Sequence, residues 1–242
     1  MTTYNRPEQL AKTLPQIAAL GAPVLVVDDG SDARLHAEGD KVNASHGFRV
    51  HVACCDCGIE HYIRLHSNRG LACALNIGLS YWLADPEVEF ISVFQDDCDI
   101  DPDLHRVMLE VCRSFDRDAR TLFTGFDAIE HGKGHLQAVQ GIEVYEKQTG
   151  GGVHLFGRRH VWESLMPIPS LGVGLPRDGM GSRVDFNLTS HARGGAVPLL
   201  CVPGLVSHRA WKGEDSTWCR SDRVCGKDGP LDRSAIKGWV PA

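Results

Sequence analysis

Three aspartates follow directly after the apolar run Phe90–Phe94, at Asp96, Asp97 and Asp99. The run has the length and composition of a buried strand. Carboxylates crowded at the end of such a strand repel one another, so folding alone does not explain them. A divalent cation with oxygen ligands would remove the repulsion, and open α/β sheets bind ligands at the carboxyl ends of their strands. A turn is the alternative, and it accounts well for the acids around Pro102.

A second pair of aspartates, Asp28 and Asp29, ends the apolar run 22–27. The diphosphate leaving group of a sugar nucleotide gains negative charge as the glycosidic bond breaks, and a carboxylate-bound metal would stabilise that charge. A carboxylate at the other strand end can accept hydrogen bonds from a base or a ribose. The two acidic strand ends, about seventy residues apart in the chain, together predict a nucleotide-sugar site.

The composition is that of a globular protein, with 242 residues, 43% hydrophobic, and a net charge of −6. This length suits one domain, and the mild acidity argues against a general nucleic-acid binder. The sequence has no apolar run of membrane-spanning length and no signal peptide pattern, so we expect a cytoplasmic protein with reduced cysteines. Cys54, Cys55 and Cys57 suggest zinc, but structural zinc usually needs a second paired set, which favours ordinary reduced cysteines.

Predicted strands and helices alternate along the sequence. This order predicts an α/β fold with a central, mostly parallel sheet that helices cover on both faces. Apolar residues at helical spacing mark the helices, and short apolar runs that end in polar or glycine residues mark the strands. The predicted helices are 7–20, 71–83, 102–115 and 182–192, with a strand and a further helix after Gly150; the other predicted strands are 22–27, 48–53, 62–65, 90–94, 120–126 and 197–202.

Six segments resemble, in order, those of the family 2 glycosyltransferases. These are nucleotide-sugar enzymes with the GT-A fold, a Rossmann-like single domain. The segments are TTYNRPEQL, VLVVDDGSD, NRGLACALNIGL, FQDDCDIDPD, GGGVHLFGRR and VPGLVSHR, and the resemblance covers about residues 1–210. It implies one domain over 1–242, with a nucleotide-sugar-binding half at 1–110, an acceptor-side half at 111–210 and an irregular tail at 211–242.

The resemblance also implies roles for individual residues. Asp28 or Asp29 would accept the N–H of the base, and Asp96 would bind the ribose. The start of the helix at 71–83 would face the diphosphate, and the acidic cluster would bind Mn²⁺ or Mg²⁺. The implied donor-binding residues are Thr2, Tyr4, Asp28, Asp29, Arg69, Asn76 and Asp96, and the implied metal ligands are Asp97, Asp99 and His208.

Two features depart from the family pattern. Cys98 stands where many relatives have an aspartate, and a thiol is a poor ligand for Mg²⁺ or Mn²⁺. Asp97 or Asp99 must then hold the metal, or the site is weakened. The chain also reaches the expected site almost at Thr2, so we expect the first strand of the fold to be truncated or contributed differently.

The catalytic base is open between Asp185 and Asp178. Relatives place an acidic pair where Ser182 and Arg183 stand here. Asp185 lies in the segment that best matches the family, but Ser182 and Asp185 also form a helix capping box worth about 1 kcal/mol. Asp178 lies in a glycine-flanked loop and is freer to face an acceptor. We favour Asp185 of the two as the group that deprotonates the acceptor hydroxyl.

The leading hypothesis is a metal-dependent, inverting, hexosyltransferase-type enzyme. It would move a sugar from a UDP-type donor to a hydroxyl of a glycan, a protein or a modified nucleic acid. Two alternatives stay open: the same chemistry on hydroxymethylated bases of DNA, and a nucleotide-sugar-binding protein without turnover. Cys98 and Arg183 motivate the last alternative.

Overall fold

The computed structural model describes residues 1–33, 36–38, 41–43, 45–114, 121–125, 132–139, 141–147, 153–168, 197–202 and 205–209. Five helices and thirteen strands lie in these ranges. The helices are α1 (Pro7–Ala18), α2 (His46–Asp56), α3 (Leu71–Leu83), α4 (Leu104–Ser114) and α5 (Arg159–Leu165). The strands are β1 (Thr2–Thr3), β2 (Leu25–Asp28), β3 (His36–Glu38), β4 (Lys41–Asn43), β5 (His61–Arg64), β6 (Phe90–Phe94), β7 (Cys98–Ile100), β8 (Thr121–Thr124), β9 (Gly132–Val139), β10 (Ile142–Lys147), β11 (His154–Arg158), β12 (Val197–Val202) and β13 (Val206–His208).

The amino-terminal part is a parallel sheet in the order β1-β2-β5. Its central strand β2 is buried along its whole length. The side chain of Val26 packs with α1 and α2, whereas Leu25 and Val27 pack with Ala74 of α3 on the other face. Helices therefore cover both faces, which is why β2 carries an uninterrupted apolar run.

A larger mixed sheet follows, in the order β6-β11-β8-β12-β10-β9. Residues of α4 pack on one face of it and residues of α3 and α5 on the other. Two short antiparallel pairs complete the described sheets, β7 with β13 and β3 with β4. The predicted α/β class, with helices on both faces, is confirmed.

Fewer strand pairs are parallel than the sequence predicts. It covers β1-β2-β5 and the pair β8–β12, whereas the other pairs of the six-stranded sheet are antiparallel. The hairpin β9–β10 shows one reason. It turns at Gly141, whose φ is +83°, and strands joined by so tight a turn must run antiparallel. This hairpin is not among the elements predicted from the sequence.

Most predicted elements are confirmed, and one is wrong. The helix at 71–83 and the strands at 90–94 and 197–202 have the predicted bounds. The segment 48–53, predicted as a strand, belongs to α2. The Ser45 side chain accepts the N–H of Phe48 at 3.3 Å and so caps this helix, and Val50, Ala53 and Cys54 form its buried face.

Two predictions lie outside the described residues, the helix at 182–192 and the tail at 211–242. Within the part of the chain that the structure describes, no helix is both long and apolar enough to cross a membrane.

Candidate functional site

The two acidic strand ends meet at β1. The backbone carbonyl of Thr3 accepts the N–H of Asp29 at 2.9 Å, and the Thr3 hydroxyl donates to Asp96 Oδ2 at 2.7 Å. Thr3 is itself buried. The parallel strands β1 and β2 end side by side, so one residue joins two carboxylate pairs that are about seventy positions apart in sequence.

Asp28 and Asp29 are both buried, and each is held by hydrogen bonds. Asp28 accepts the N–H of Ser31 at 2.8 Å and the hydroxyl of Tyr62 at 3.1 Å. Asp29 accepts the backbone N–H groups of Arg69 and Gly70, at 2.8 and 2.9 Å, just where α3 begins. Burial raises the pKa of Asp29, although these backbone donors oppose the rise.

The carboxylates of this strand end keep capacity for a ligand, because each oxygen can accept more than one hydrogen bond. Gly30 follows Asp29 with a φ of +74°. A Cβ at Gly30 would lie 2.3 Å from the carbonyl carbon of Ser67, so the loop requires glycine there. The loop that follows β2 and the loop that follows β5 are therefore in close backbone contact.

Asp96 lies deeper than a carboxylate normally does, with 4% of its surface exposed. Burial raises its pKa to about 6, against the hydrogen bond from Thr3 and the charge of Arg6, whose guanidinium lies 3.4 Å from Asp96 Oδ1. Asp96 thus changes charge near neutral pH in the free protein.

Asp97 has the opposite electrostatic environment. Its Oδ2 accepts a hydrogen bond from Arg6 at 2.7 Å, and its Oδ1 lies 3.0 Å from Nε2 of His208. Burial alone would raise the pKa of Asp97, but His208 and Arg6 together outweigh burial and lower it. Asp97 is therefore a fixed negative charge between two basic side chains.

Arg6 is not among the site residues predicted from the sequence, although it lies in the first segment that resembles the family. The Arg6 side chain is about half exposed and bridges Asp96 and Asp97, ninety or more positions away. The available signal was a basic residue just after a strand end that was expected to face carboxylates.

The expected Mn²⁺ or Mg²⁺ fits part of the predicted ligand set. Asp97 and His208 bring a carboxylate oxygen and an imidazole nitrogen to adjoining positions, and both side chains are buried. Among the described residues no group of three or more His, Cys, Asp and Glu side chains is placed to hold a metal ion. Mg²⁺ usually takes one or two carboxylates from the protein and fills its other positions with substrate phosphates and water, and Asp97 supplies one such carboxylate.

Asp99 and Cys98 face away from that pair. The Asp99 carboxylate is bound by Arg209, with the amide of Gln16 at 3.4 Å. Cys98 is fully buried in the apolar core, where burial raises the pKa of its thiol and its Sγ lies 3.6 Å from the carbonyl of Val153. Along β7 the side chains alternate between buried and partly exposed, which separates Asp99 from its neighbours.

Contacts with backbone carbonyls hold residues 96–99, the acidic turn, in place. The Thr13 hydroxyl lies 2.7 Å from the carbonyl oxygen of Asp96 and 2.9 Å from that of Cys98. The N–H of Arg209 donates to the Asp97 carbonyl at 2.8 Å, and its guanidinium donates to the Cys98 carbonyl at 2.6 Å. Thr13 and Arg209 are positioning residues, and neither is among the site residues predicted from the sequence.

The other predicted donor-binding residues lie around this centre. Thr2 is buried opposite Val27, and Tyr4, just beyond β1, is 42% exposed and so accessible to a ligand. Arg69 and Asn76 line a common groove on α3. The amide of Asn76 is already paired with the backbone of Ile168, donating to its carbonyl and accepting its N–H at 2.8 Å each. Asp178 and Asp185, the predicted bases, lie outside the described residues.

Comparison with known proteins gives one family match. Residues 1–129 match the family described as Glycosyl transferase family 2. No curated protein matches the chain. Among solved structures, the fold is similar to a crystal structure of apo UDP-glucose pyrophosphorylase, with a TM-score of 0.45 and 12% identity, over 79% of this chain and 77% of that one.

Proposed function

The chain belongs to glycosyl transferase family 2, and from that premise we propose that it moves a sugar from a UDP-type donor to an acceptor hydroxyl, with inversion and with the help of a divalent cation. The predicted family and its GT-A fold are confirmed, and the chain is a nucleotide-sugar glycosyltransferase in general terms. The nucleotide, the cation, the stereochemistry and the acceptor are the proposal.

One observation carries the proposal, the contact of Thr3 with both acidic strand ends. Because Asp29 and Asp96 lie on either side of one strand, a single ligand can contact both pairs of carboxylates. A nucleoside diphosphate has the matching groups: a base with N–H donors, a ribose with hydroxyls and a diphosphate that needs positive charge. The exposed ring of Tyr4 is available to stack on the base.

Asp97 and His208 would hold the cation. When bound, Mn²⁺ or Mg²⁺ would supply positive charge to the diphosphate as the glycosidic bond breaks. Arg6 now occupies Oδ2 of Asp97. Its half-exposed side chain is free to turn toward the diphosphate, where a guanidinium would add a second positive charge.

Inversion requires one direct displacement with a general base on the acceptor side. Asp185 and Asp178 stay the proposed bases. The acceptor proton would pass to one of these carboxylates, while the nucleoside diphosphate leaves from the opposite face of the sugar.

Donor turnover tests the proposal. The purified chain is incubated with a panel of UDP-, GDP- and TDP-sugars, with Mn²⁺ or with EDTA, and release of the nucleoside diphosphate is measured. We expect turnover of a UDP-sugar only with the metal, and Asp97→Asn should lower it at least about a hundredfold, the usual cost of losing a charge-stabilising group.

The matched control is Asp99→Asn, two positions away in the same turn, because Asp99 faces Arg209. It should keep most of the activity. Metal-independent turnover, or equal losses in the two variants, would contradict the cation site. UDP binding without turnover of any donor would favour a binding protein.

A further inference from the structure

The side chain of Asn76 binds the backbone of Ile168 with two hydrogen bonds. Its amide nitrogen donates to the Ile168 carbonyl, and its carbonyl oxygen accepts the Ile168 N–H, each at 2.8 Å. The two residues are 92 positions apart in the chain. Two residues of an antiparallel ladder exchange the same pair of bonds. Because hydrogen bonds are directional, Asn76 fixes the direction of the backbone at Ile168 as well as its position.

Apolar packing at Ile168 does not supply that direction. The Ile168 side chain is buried in a core cluster that also contains Leu75 and Leu79 of α3 and Leu165, the last residue of α5. Burial of apolar surface is favourable but not directional. The cluster therefore holds the chain that leaves α5 against α3, and the two bonds from Asn76 orient it.

These bonds also limit what else Asn76 can do. Its side chain borders the groove on α3 that Arg69 lines as well. If the carboxamide turned away toward a ligand in this groove, the N–H and the carbonyl of Ile168 would both lose their partner, which is costly at a buried residue. The geometry favours the contact with Ile168 over a direct contact between Asn76 and the donor.

The helix α3 connects this contact to the donor side of the candidate site. At its start, the Asp29 carboxylate accepts the backbone N–H groups of Arg69 and Gly70. Asn76 follows Gly70 by six residues, which is about 9 Å along a helix. One short length of helix therefore lies between a carboxylate of the donor strand end and the residue that orients the chain at Ile168.

The segment that follows Ile168 contains both proposed bases. Asp178 and Asp185 come ten and seventeen residues after it. A general base must lie within hydrogen-bonding distance of the proton that it removes, and a displacement of about 1 Å can cost about a hundredfold in rate. A chain that leaves Ile168 in a fixed direction enters this segment from a fixed point relative to the donor.

We propose that Asn76 is a positioning residue for the acceptor side of the reaction, which acts by orienting the backbone at Ile168 against α3 and does not touch the donor. The inference rests on the proposed function, because it concerns how the base is placed for that reaction.

Two substitutions of Asn76 test this role. Asn76→Ala removes both hydrogen bonds, whereas Asn76→Gln keeps an amide but moves it one methylene farther from α3. Glutamine favours a helix more than asparagine does, so Asn76→Gln should fold. Release of UDP from the UDP-sugar that the parent hydrolyses is measured with Mn²⁺, with water as the acceptor, and UDP affinity is measured by calorimetry. We expect kcat to fall about ten- to a hundredfold in both variants, with the Kd of UDP unchanged within about twofold.

Two controls separate positioning from other effects. Ser80→Ala changes an exposed side chain farther along the same groove. Leu79→Val removes packing from the core cluster that contains Ile168 and leaves both hydrogen bonds in place. Ser80→Ala should keep the parent's kcat and Tm, and Leu79→Val should lower Tm but keep kcat. A loss of kcat at Asn76 is then a consequence of the lost orientation and not of lower stability.

UDP binding that weakens in step with turnover would assign Asn76 to the donor and overturn the inference. Unchanged kcat in both Asn76 variants would overturn it as well, and so would an equal loss of kcat in Leu79→Val. The parent reports separately on the proposed function. A parent that turns over no donor refutes that function and the inference that rests on it, whereas an active parent with equally active Asn76 variants refutes the inference alone.

Discussion

Asp96 and Asp97 are adjacent carboxylates that should respond in opposite directions to the same substitution. In the metal-free protein at neutral pH, Asp96→Asn should raise the free energy of unfolding and Asp97→Asn should lower it. The reason is that burial dominates at Asp96, whereas the basic partners Arg6 and His208 dominate at Asp97.

The magnitude follows from the pKa of Asp96, which folding raises from 3.8 to about 6. One pKa unit corresponds to 1.36 kcal/mol, so a difference of about two units is worth up to about 3 kcal/mol. The pKa of Asp96 is higher in the folded than in the unfolded state. Protonated Asp96 therefore contributes to stability below about pH 4, and this contribution is lost as the pH rises through 6. The ionised Asp96 therefore carries its full cost above about pH 7, and an amide would remove that cost while still accepting the Thr3 hydroxyl.

Asp97 follows the opposite rule. Its folded pKa lies below the ordinary value, so its contribution is present above about pH 4 and is lost as the pH falls through the folded pKa. Asp97→Asn should therefore destabilise at neutral pH, and it also leaves Arg6 and His208 without their anionic partner.

Urea unfolding in EDTA at pH 8 and at pH 4.5 measures both effects, with free energies from linear extrapolation. Asp96→Asn should exceed the parent by about 1–3 kcal/mol at pH 8, and the gain should shrink at pH 4.5. A variant that is no more stable than the parent at pH 8 would refute the reasoning. So would a gain that is equally large at both pH values, because burial of a charge cannot then be the cause.

Three further predictions concern ligands. Arg6→Gln should tighten Mn²⁺ binding several-fold in calorimetry, because it frees Oδ2 of Asp97; unchanged or weaker binding would show that Arg6 does not compete with the metal. Of Asp28→Ala and Asp29→Ala, at least one should weaken UDP binding by about 1.5–3 kcal/mol, the value of a hydrogen bond to a charged group; unchanged affinity in both would exclude this strand end from the site. Either Asp178→Asn or Asp185→Asn should slow sugar transfer at least about a hundredfold with UDP affinity unchanged, and normal rates in both would place the base elsewhere.

The spacing of apolar residues predicts an element correctly where it fits only one period, that of a helix or that of a strand. The helix α3 has apolar residues at helical spacing, and β6 is a short apolar run that ends in carboxylates, so both were predicted with their observed bounds. The apolar residues of the segment 48–53 fit both the period of a strand and that of a helix. Phe48, Val50 and Val52 alternate as in a strand, whereas Val50, Ala53 and Cys54 form one face of a helix. Packing of that face against α1 and β2 selects the helix, and Ser45, the N-cap of α2, is the signal in the sequence that favours it.

The candidate site was predictable as far as it depends on strand ends. Asp96 and Asp97 are predicted site residues because carboxylates after a buried strand repel one another unless a partner compensates their charge, and the structure places Arg6 beside both of them and His208 beside Asp97. Arg6 and Arg209 were missed because their contacts with the acidic turn span about ninety residues or more. Asp99 is grouped with Asp97 by proximity in sequence, but the two carboxylates have different partners, Arg209 for Asp99 and Arg6 with His208 for Asp97.

The contacts of Thr13 have a mechanical consequence for the acidic turn. This buried hydroxyl lies midway along α1 and within hydrogen-bonding distance of two backbone carbonyl oxygens, those of Asp96 and Cys98. These contacts attach the acidic turn to a twelve-residue helix. The backbone of the turn should therefore be as rigid as that of α1, and more rigid than an ordinary surface loop. Any displacement of α1, such as one caused by truncating Leu10 or Leu14 in its buried face, would be carried to the carboxylates as a rigid-body shift. Redesign of donor preference should accordingly leave α1 unchanged, because it supports the acidic turn, and should vary only the side chains that surround the turn.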